Sequence, residues 1–174
     1  MIISFSLMML FVMTTMSTYG EEKEKNETLN LAQDSKSAIL IERDTGELLF
    51  DKNAHEKLPP ASMTKVMTLL LIMEALEKEE LKLDEKVRIS ERSASMGGSQ
   101  IFLEEGEEMT VEDLLKGIAI ASGNDASVAL AERIAGSEES FVKMMNDKVE
   151  ELNLKNTHFQ NSSGLPAEDH YSTS

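Results

Sequence analysis

The sequence predicts an α/β protein of the α+β kind, an N-terminal β-hairpin followed by a helical region. Two apolar runs, Ala38-Ile39-Leu40-Ile41 and Leu48-Leu49-Phe50, flank the turn signal Asp44-Thr45-Gly46 and read as paired strands. Four stretches of helical length and pattern follow, opening near Met63, Thr110, Asp125 and Ser137. With 174 residues, 41% of them hydrophobic, no Cys and three Pro, the chain is neither disordered nor disulfide-stapled. One domain is the natural expectation.

Residues 1–20 hold no charged side chain and are apolar from Ile2 to Met13, with small and polar residues before Glu21. They read as a signal peptide of an exported protein, although no Lys or Arg follows Met1. Residues 21–36 read as a polar linker, and the hairpin spans Ser37 to Asn53. Leu58-Pro59-Pro60-Ala61 is held extended by proline geometry. Met63 to Glu77 then reads as a helix apolar almost all round, hence central and buried.

Leu83 to Ser90 predicts a short extended piece, and Met96-Gly97-Gly98-Ser99 a loop. Thr110 with Asp113 caps a helix running to about Ala121, which Gly123 stops. Asp125 to Ala135 is the next helix, ending at Gly136. Ser137 to Leu152 is a charged amphipathic helix with Phe141, Met144, Met145, Val149 and Leu152 inward. The tail, Asn156 to Ser174, is polar and turn-rich and predicts no closing helix or strand.

The charge balance of 17 basic against 32 acidic residues, net −15, repels phosphate backbones, and no basic cluster interleaves with aromatics. Nucleic acid is therefore excluded as a partner, which is instead neutral or held by local positive charge. His55, His158 and His170 are scattered without metal-ligand spacing and read as surface residues, so no metal is expected. No G-x-S-x-G elbow surrounds any serine.

Ser62-Met63-Thr64-Lys65 places a hydroxyl at the start of a helix and an amine three residues later on the same face. A serine needs a base to become a nucleophile, and a lysine desolvated among apolar side chains has a lowered pKa and can serve. The helix N-terminus adds backbone N–H groups for an oxyanion. The pattern alone is weak, because Ser140-Phe141-Val142-Lys143 fits it too, inside a charged helix. On position alone Ser62 reads as an N-cap. Ser122-Gly123-Asn124 reverses that preference: it presents a second hydroxyl and an amide from a turn between two apolar helices, able to relay a proton and to hold a carbonyl or steer the lysine. Taken alone, that turn reads equally well as a glycine helix stop with Asn124 or Asp125 capping the next helix.

Pro59-Pro60-Ala61-Ser62-Met63-Thr64-Lys65 and Ile120-Ala121-Ser122-Gly123-Asn124-Asp125-Ala126 together resemble the penicillin-binding serine-type D-alanyl-D-alanine carboxypeptidases. The similarity runs from about Ser37 to Ser174, through Gly97-Gly98-Ser99, Glu105-Gly106-Glu107 and Gly164-Leu165-Pro166 to His170-Tyr171-Ser172. The resemblance implies a β-lactamase/transpeptidase-like fold. It implies catalytic roles for Ser62, Lys65 and Ser122 and a substrate-binding role for Asn124, with no cofactor and no metal. Ser62 would attack the bond between the terminal D-alanines of a peptidoglycan stem peptide, expel D-alanine and pass the acyl group to water. β-Lactams would acylate the same serine as covalent inhibitors. Ser122 would relay a proton, and Lys65 is the candidate acylation base in a broader family where that base is disputed. The implied location is the outer face of a bacterial cytoplasmic membrane or the cell-wall space.

The family's third motif, Lys-Thr-Gly on a later strand, does not occur in this chain, nor does its C-terminal membrane-associating region. We therefore expect a partial catalytic domain over residues 37–174, incomplete because the C-terminal sheet strands are missing, and inactive if the lost strand is indispensable. Two alternatives remain at this level. A class A β-lactamase would need a deacylating glutamate, and Glu150-Glu151-Leu152-Asn153 has the wrong spacing. A non-catalytic binding remnant would lack acylation altogether.

Overall fold

A computed structural model describes residues 31–174; the signal-peptide reading and most of the linker lie outside the described residues. The chain divides into two units, Met1–Gln33 and Asp34–Ser174, and every helix and strand named below belongs to the second. The order is β1 (Ala38–Ile41), β2 (Leu48–Lys52), a 3₁₀ turn (Ala61–Thr64), α1 (Lys65–Glu77), β3 (Lys86–Arg88), α2 (Glu91–Ala94), β4 (Glu108–Thr110), α3 (Val111–Ala121), α4 (Asn124–Ala135) and α5 (Glu138–Glu151).

β1 and β2 form the expected antiparallel hairpin, with Leu40 opposite Phe50 and a bulge before Ile41. Its turn is built by Glu42, whose carboxylate accepts the Asp44 and Thr45 N–H groups and the Thr45 hydroxyl, while Gly46 takes a positive φ. β3 and β4 form a second two-stranded antiparallel sheet. β4 and the short α2 have no counterpart in the sequence reading, which placed no strand or helix over either segment.

The helix starts obey capping chemistry. Ser90, Thr110 and Ser137 each accept the N–H three residues on, at 2.9, 3.1 and 3.1 Å, starting α2, α3 and α5. Each such cap stabilises by about 1 kcal/mol. α4 differs. Neither Asn124 nor Asp125 caps it; Gly123 does, without a side-chain bond, and Gly136 closes it with a left-handed backbone.

The central helix is α4, not α1. Every residue from Asn124 to Ala131 is buried, and Ala126, Ala129 and Leu130 meet Ile72, Leu114 and Ile118 on one side. Ala131 joins Phe141, Met145 and Phe159 on the other. Its small side chains let neighbours approach closely, whereas α1, richer in large apolar residues, leaves one face open. Val66 is 70% exposed and Met63, just before α1, 71%, with Met73 also exposed. All-round apolarity thus misidentified the central element, because no described segment packs on that face. In α5, Phe141, Met145 and Val149 are inward as expected, but Met144 and Leu152 are exposed.

The tail also departs from expectation. It forms no named strand, yet Leu58 bridges to Ser172 and His158 to Tyr171, and the Ser174 N–H donates to the Ala54 carbonyl. Nor is His170 a surface residue: it is buried against the end of the 3₁₀ turn.

Candidate active site

Ser62 does not cap a helix. It lies exposed within the 3₁₀ turn, and α1 begins at Lys65, whose backbone N–H donates to the Ser62 carbonyl. Tight winding brings side chains three residues apart nearly into register, the local geometry that a Ser62–Lys65 pair requires. Ala61 carries a positive φ of 48°, a cost of about 1–2 kcal/mol for a residue with a Cβ. Strain of this kind persists only where the surroundings hold it.

Lys65 is 4% exposed. Its Nζ donates to Asn124 Oδ1 at 2.7 Å and to the Ser163 carbonyl at 2.7 Å. Both acceptors are neutral. Burial pushes the ammonium down from its ordinary value of 10.5, and the nearby Asp125 opposes this only in part. The Asp125 carboxylate is already engaged by the backbone N–H groups of Ile101, Leu103 and Ala126. Lys65 is therefore a desolvated amine without a carboxylate bonded to it, the state in which an amine serves as a base.

Asn124 is held at both ends. Its Nδ2 donates to the Gly97 carbonyl at 2.7 Å and its backbone N–H to the Ser99 carbonyl at 2.8 Å, leaving Oδ1 aimed at Lys65. The bond to Gly97 also settles which end of the amide is oxygen, because a carbonyl only accepts. Gly98 has φ +79°, and a Cβ there would sit 2.8 Å from Asn124 Nδ2.

Ser122 ends α3 in a left-handed conformation, φ 57° and ψ 34°. Its hydroxyl is shielded from solvent and has no hydrogen-bond partner among the described residues. A strained residue with an orphaned buried hydroxyl carries a stability cost of about 2–5 kcal/mol from the two effects together.

Three residues to which the sequence assigned no role in the site complete the arrangement. Ser163 contributes only its carbonyl. Gly164 packs against the Ala61–Ser62 peptide so closely that a Cβ would fall 1.9 Å from the Ala61 oxygen. His170 accepts the Gln160 N–H at Nδ1, so its proton sits on Nε2 and donates to Thr64 Oγ1 at 2.8 Å. Burial, and secondarily His158, lower the His170 pKa, which favours this neutral form. The loop bearing Ser163 is shaped by Asn161, whose Oδ1 accepts the Ser163 and Gly164 N–H groups. Among the described residues no group of His, Cys, Asp or Glu could hold a metal ion. The second S-x-x-K is inert by comparison: Lys143 is an exposed partner of Asp147 at 2.8 Å.

The family model described as D-alanyl-D-alanine carboxypeptidase matches residues 22–174. This chain belongs to that family. Among curated relatives, the D-alanyl-D-alanine carboxypeptidase DacF of Bacillus subtilis (strain 168) is 59% identical over 172 residues, covering 99% of this chain and 44% of the relative. Among solved structures, the D-alanyl-D-alanine carboxypeptidase DacD from Francisella tularensis superposes with a TM-score of 0.79 at 35% identity, covering 84% of this chain and 35% of that one. Penicillin-binding protein D2 from Listeria monocytogenes, solved in its ampicillin-bound form, gives a TM-score of 0.73 at 30% identity, covering 83% and 58%. The fold is thus the penicillin-binding, β-lactamase-like one, seen over part of its length. No described helix is long and apolar enough to cross a membrane.

Within this carboxypeptidase-family chain, the structure brings two of the four residues singled out from sequence together. Lys65 and Asn124 are in direct contact, Ser62 lies three residues before the lysine, and Ser122 two before the asparagine. Glu150, the glutamate weighed for a β-lactamase, is exposed near the end of α5 and makes no hydrogen bond to any of them.

Proposed function

We propose that this chain carries the nucleophile-bearing part of a serine-type D-alanyl-D-alanine carboxypeptidase, acylated at Ser62 by a stem peptide ending in D-Ala-D-Ala or by a β-lactam. The observation that carries the reading is the buried Lys65 Nζ, held by two neutral acceptors beside the turn that bears Ser62. In the neutral amine, the lone pair takes the Ser62 Oγ proton as Oγ bonds to the scissile carbonyl carbon. The C–N bond then breaks, and the proton passes to the departing amine of D-alanine, with Ser122 as relay. Water next adds to the ester carbon, Ser62 regains its proton, and the shortened peptide leaves. The Ser62 backbone N–H supplies one oxyanion donor in this scheme. Such chemistry belongs outside the cytoplasm, in keeping with the signal-peptide reading of residues 1–20.

Incubation with a fluorescent penicillin, followed by intact mass and peptide mapping, tests this directly. One adduct per chain on Ser62, absent in Ser62→Ala, is the expected result. An unmodified chain at millimolar penicillin would overturn it. A long-lived adduct favours the carboxypeptidase, and rapid turnover the β-lactamase.

Ser122→Ala separates stability from catalysis. It removes the orphaned hydroxyl and leaves the backbone strain unchanged, so melting should rise by roughly 1 kcal/mol worth of stability. Ser62 acylation should fall about a hundredfold if the hydroxyl relays a proton. Undiminished labelling would remove Ser122 from the reaction.

A further inference from the structure

Glu138 opens the charged helix α5, yet its side chain is only 5% exposed. One carboxylate oxygen accepts both the Ser162 N–H at 3.1 Å and the Ser162 hydroxyl at 2.9 Å. The other accepts from Arg92 Nη2 at 2.7 Å, and this contact raises the Arg92 pKa.

Both partners lead to the candidate site. Ser162 and Ser163 present consecutive carbonyls to α1: Ser162 O accepts the Thr68 hydroxyl at 2.6 Å, and Ser163 O accepts Lys65 Nζ. Arg92 lies on α2, and the next residue, Ser93, donates its hydroxyl to the Asp125 carbonyl at 2.8 Å. The same segment runs on to Gly97, whose carbonyl holds Asn124 Nδ2. One buried carboxylate therefore joins the loop that grips Lys65 to the helix leading to the loop that grips Asn124.

We propose that Glu138 is a positioning residue for the Lys65–Asn124 pair, setting the Ser163 carbonyl on Lys65 through Ser162 and bracing the Gly97 loop through Arg92. It touches neither Ser62 nor Lys65 and acts through these two segments. The proposal rests on acylation at Ser62, and its test includes a readout independent of acylation.

The experiment is a pH titration of the Lys65 ammonium by nitrogen-15 NMR in the parent chain, Glu138→Ala, Glu138→Gln and Ser162→Ala, beside penicillin acylation rates at each pH. Asp125 is the charged group acting on Lys65, and it is unchanged in all four chains. Loosening the Ser162–Ser163 segment admits water to the amine, so Glu138→Ala should move the Lys65 midpoint up toward 10.5 and slow acylation by up to about a hundredfold. Ser162→Ala keeps the N–H bond and should move the midpoint less, in the same direction. Glu138→Gln retains an oxygen for Ser162 and should stay near the parent midpoint, losing only the Arg92 contact.

Should Glu138→Ala fail to fold, Ser162→Ala carries the same test. Variants that melt earlier yet keep the parent midpoint would show a purely structural glutamate and overturn the proposal. A parent chain that penicillin never acylates would refute acylation at Ser62, while the NMR midpoints would still decide the role of Glu138.

Discussion

Lys65→Arg is expected to slow Ser62 acylation by roughly a hundred- to ten-thousand-fold, the range that a positioned general base contributes. Arginine keeps the positive charge and can still donate to Asn124 Oδ1 and the Ser163 carbonyl, but it does not surrender a proton near neutrality. The substitution therefore separates charge from basicity. The parent chain should show the complementary pH dependence. Because burial lowers the Lys65 pKa from 10.5, the neutral amine becomes abundant at lower pH than for an exposed lysine, and acylation should rise with pH to a plateau whose midpoint lies below 10.5. The folding linkage has the same sign. Between the lowered folded value and 10.5 the unfolded chain binds a proton that the folded chain does not, so this residue makes stability increase with pH across that window. Labelling rates from pH 6 to about pH 10 on both chains provide the measurement. A pH-independent rate in the parent, or an arginine variant within tenfold of it, would exclude Lys65 as the base.

Much of this site could be read from the sequence because its side chains announce themselves. Ser62 and Lys65 stand one turn apart behind two prolines, and Ser122 and Asn124 flank a glycine that ends a helix. The cap at Thr110 and the Asp44-Thr45-Gly46 turn are equally local, with donor and acceptor within three residues of each other. What escaped is non-local or carried by the backbone. The acceptor at residue 163 is a carbonyl, which any amino acid supplies, so the serine there gives no signal. Glu138 looks like one more acid at a helix start, favourable to the helix dipole and otherwise solvated; only the return of the tail, 24 residues later, buries it. His170 is silent for the same reason, since Thr64 lies 106 residues away in the chain. The choice of central helix failed for a different reason. Hydrophobicity reports what a helix can bury, whereas α4 is central because its residues are small enough to be surrounded.

Replacing Gly164, which carries no functional side chain, should show how closely the site is packed. Its φ of +89° already disfavours a side chain, and the Cβ of Gly164→Ala would stand 1.9 Å from the Ala61 oxygen, 2.4 Å from the Ala61 carbonyl carbon and 3.0 Å from the Ser62 nitrogen. Those neighbours are backbone, so no rotamer change relieves the overlap; either the 161–165 loop or the 3₁₀ turn must shift. A shift of the loop takes the Ser163 carbonyl from Lys65, and a shift of the turn moves Ser62 itself. Gly136→Ala provides the matched control, because Gly136 has a comparable φ of +82° but open space around its Cβ position. Both substitutions should lose about 1–2 kcal/mol to left-handed backbone strain, which for a chain of this size lowers melting by about 2–8 °C. Only Gly164→Ala should fall well beyond that and also lose more than about tenfold in Ser62 acylation, because even a displacement near 1 Å can cost up to about a hundredfold in rate. If the two alanine variants melt together and label equally fast, the close approach of Gly164 to the nucleophile turn contributes nothing, and the site does not depend on the 161–165 loop for its geometry.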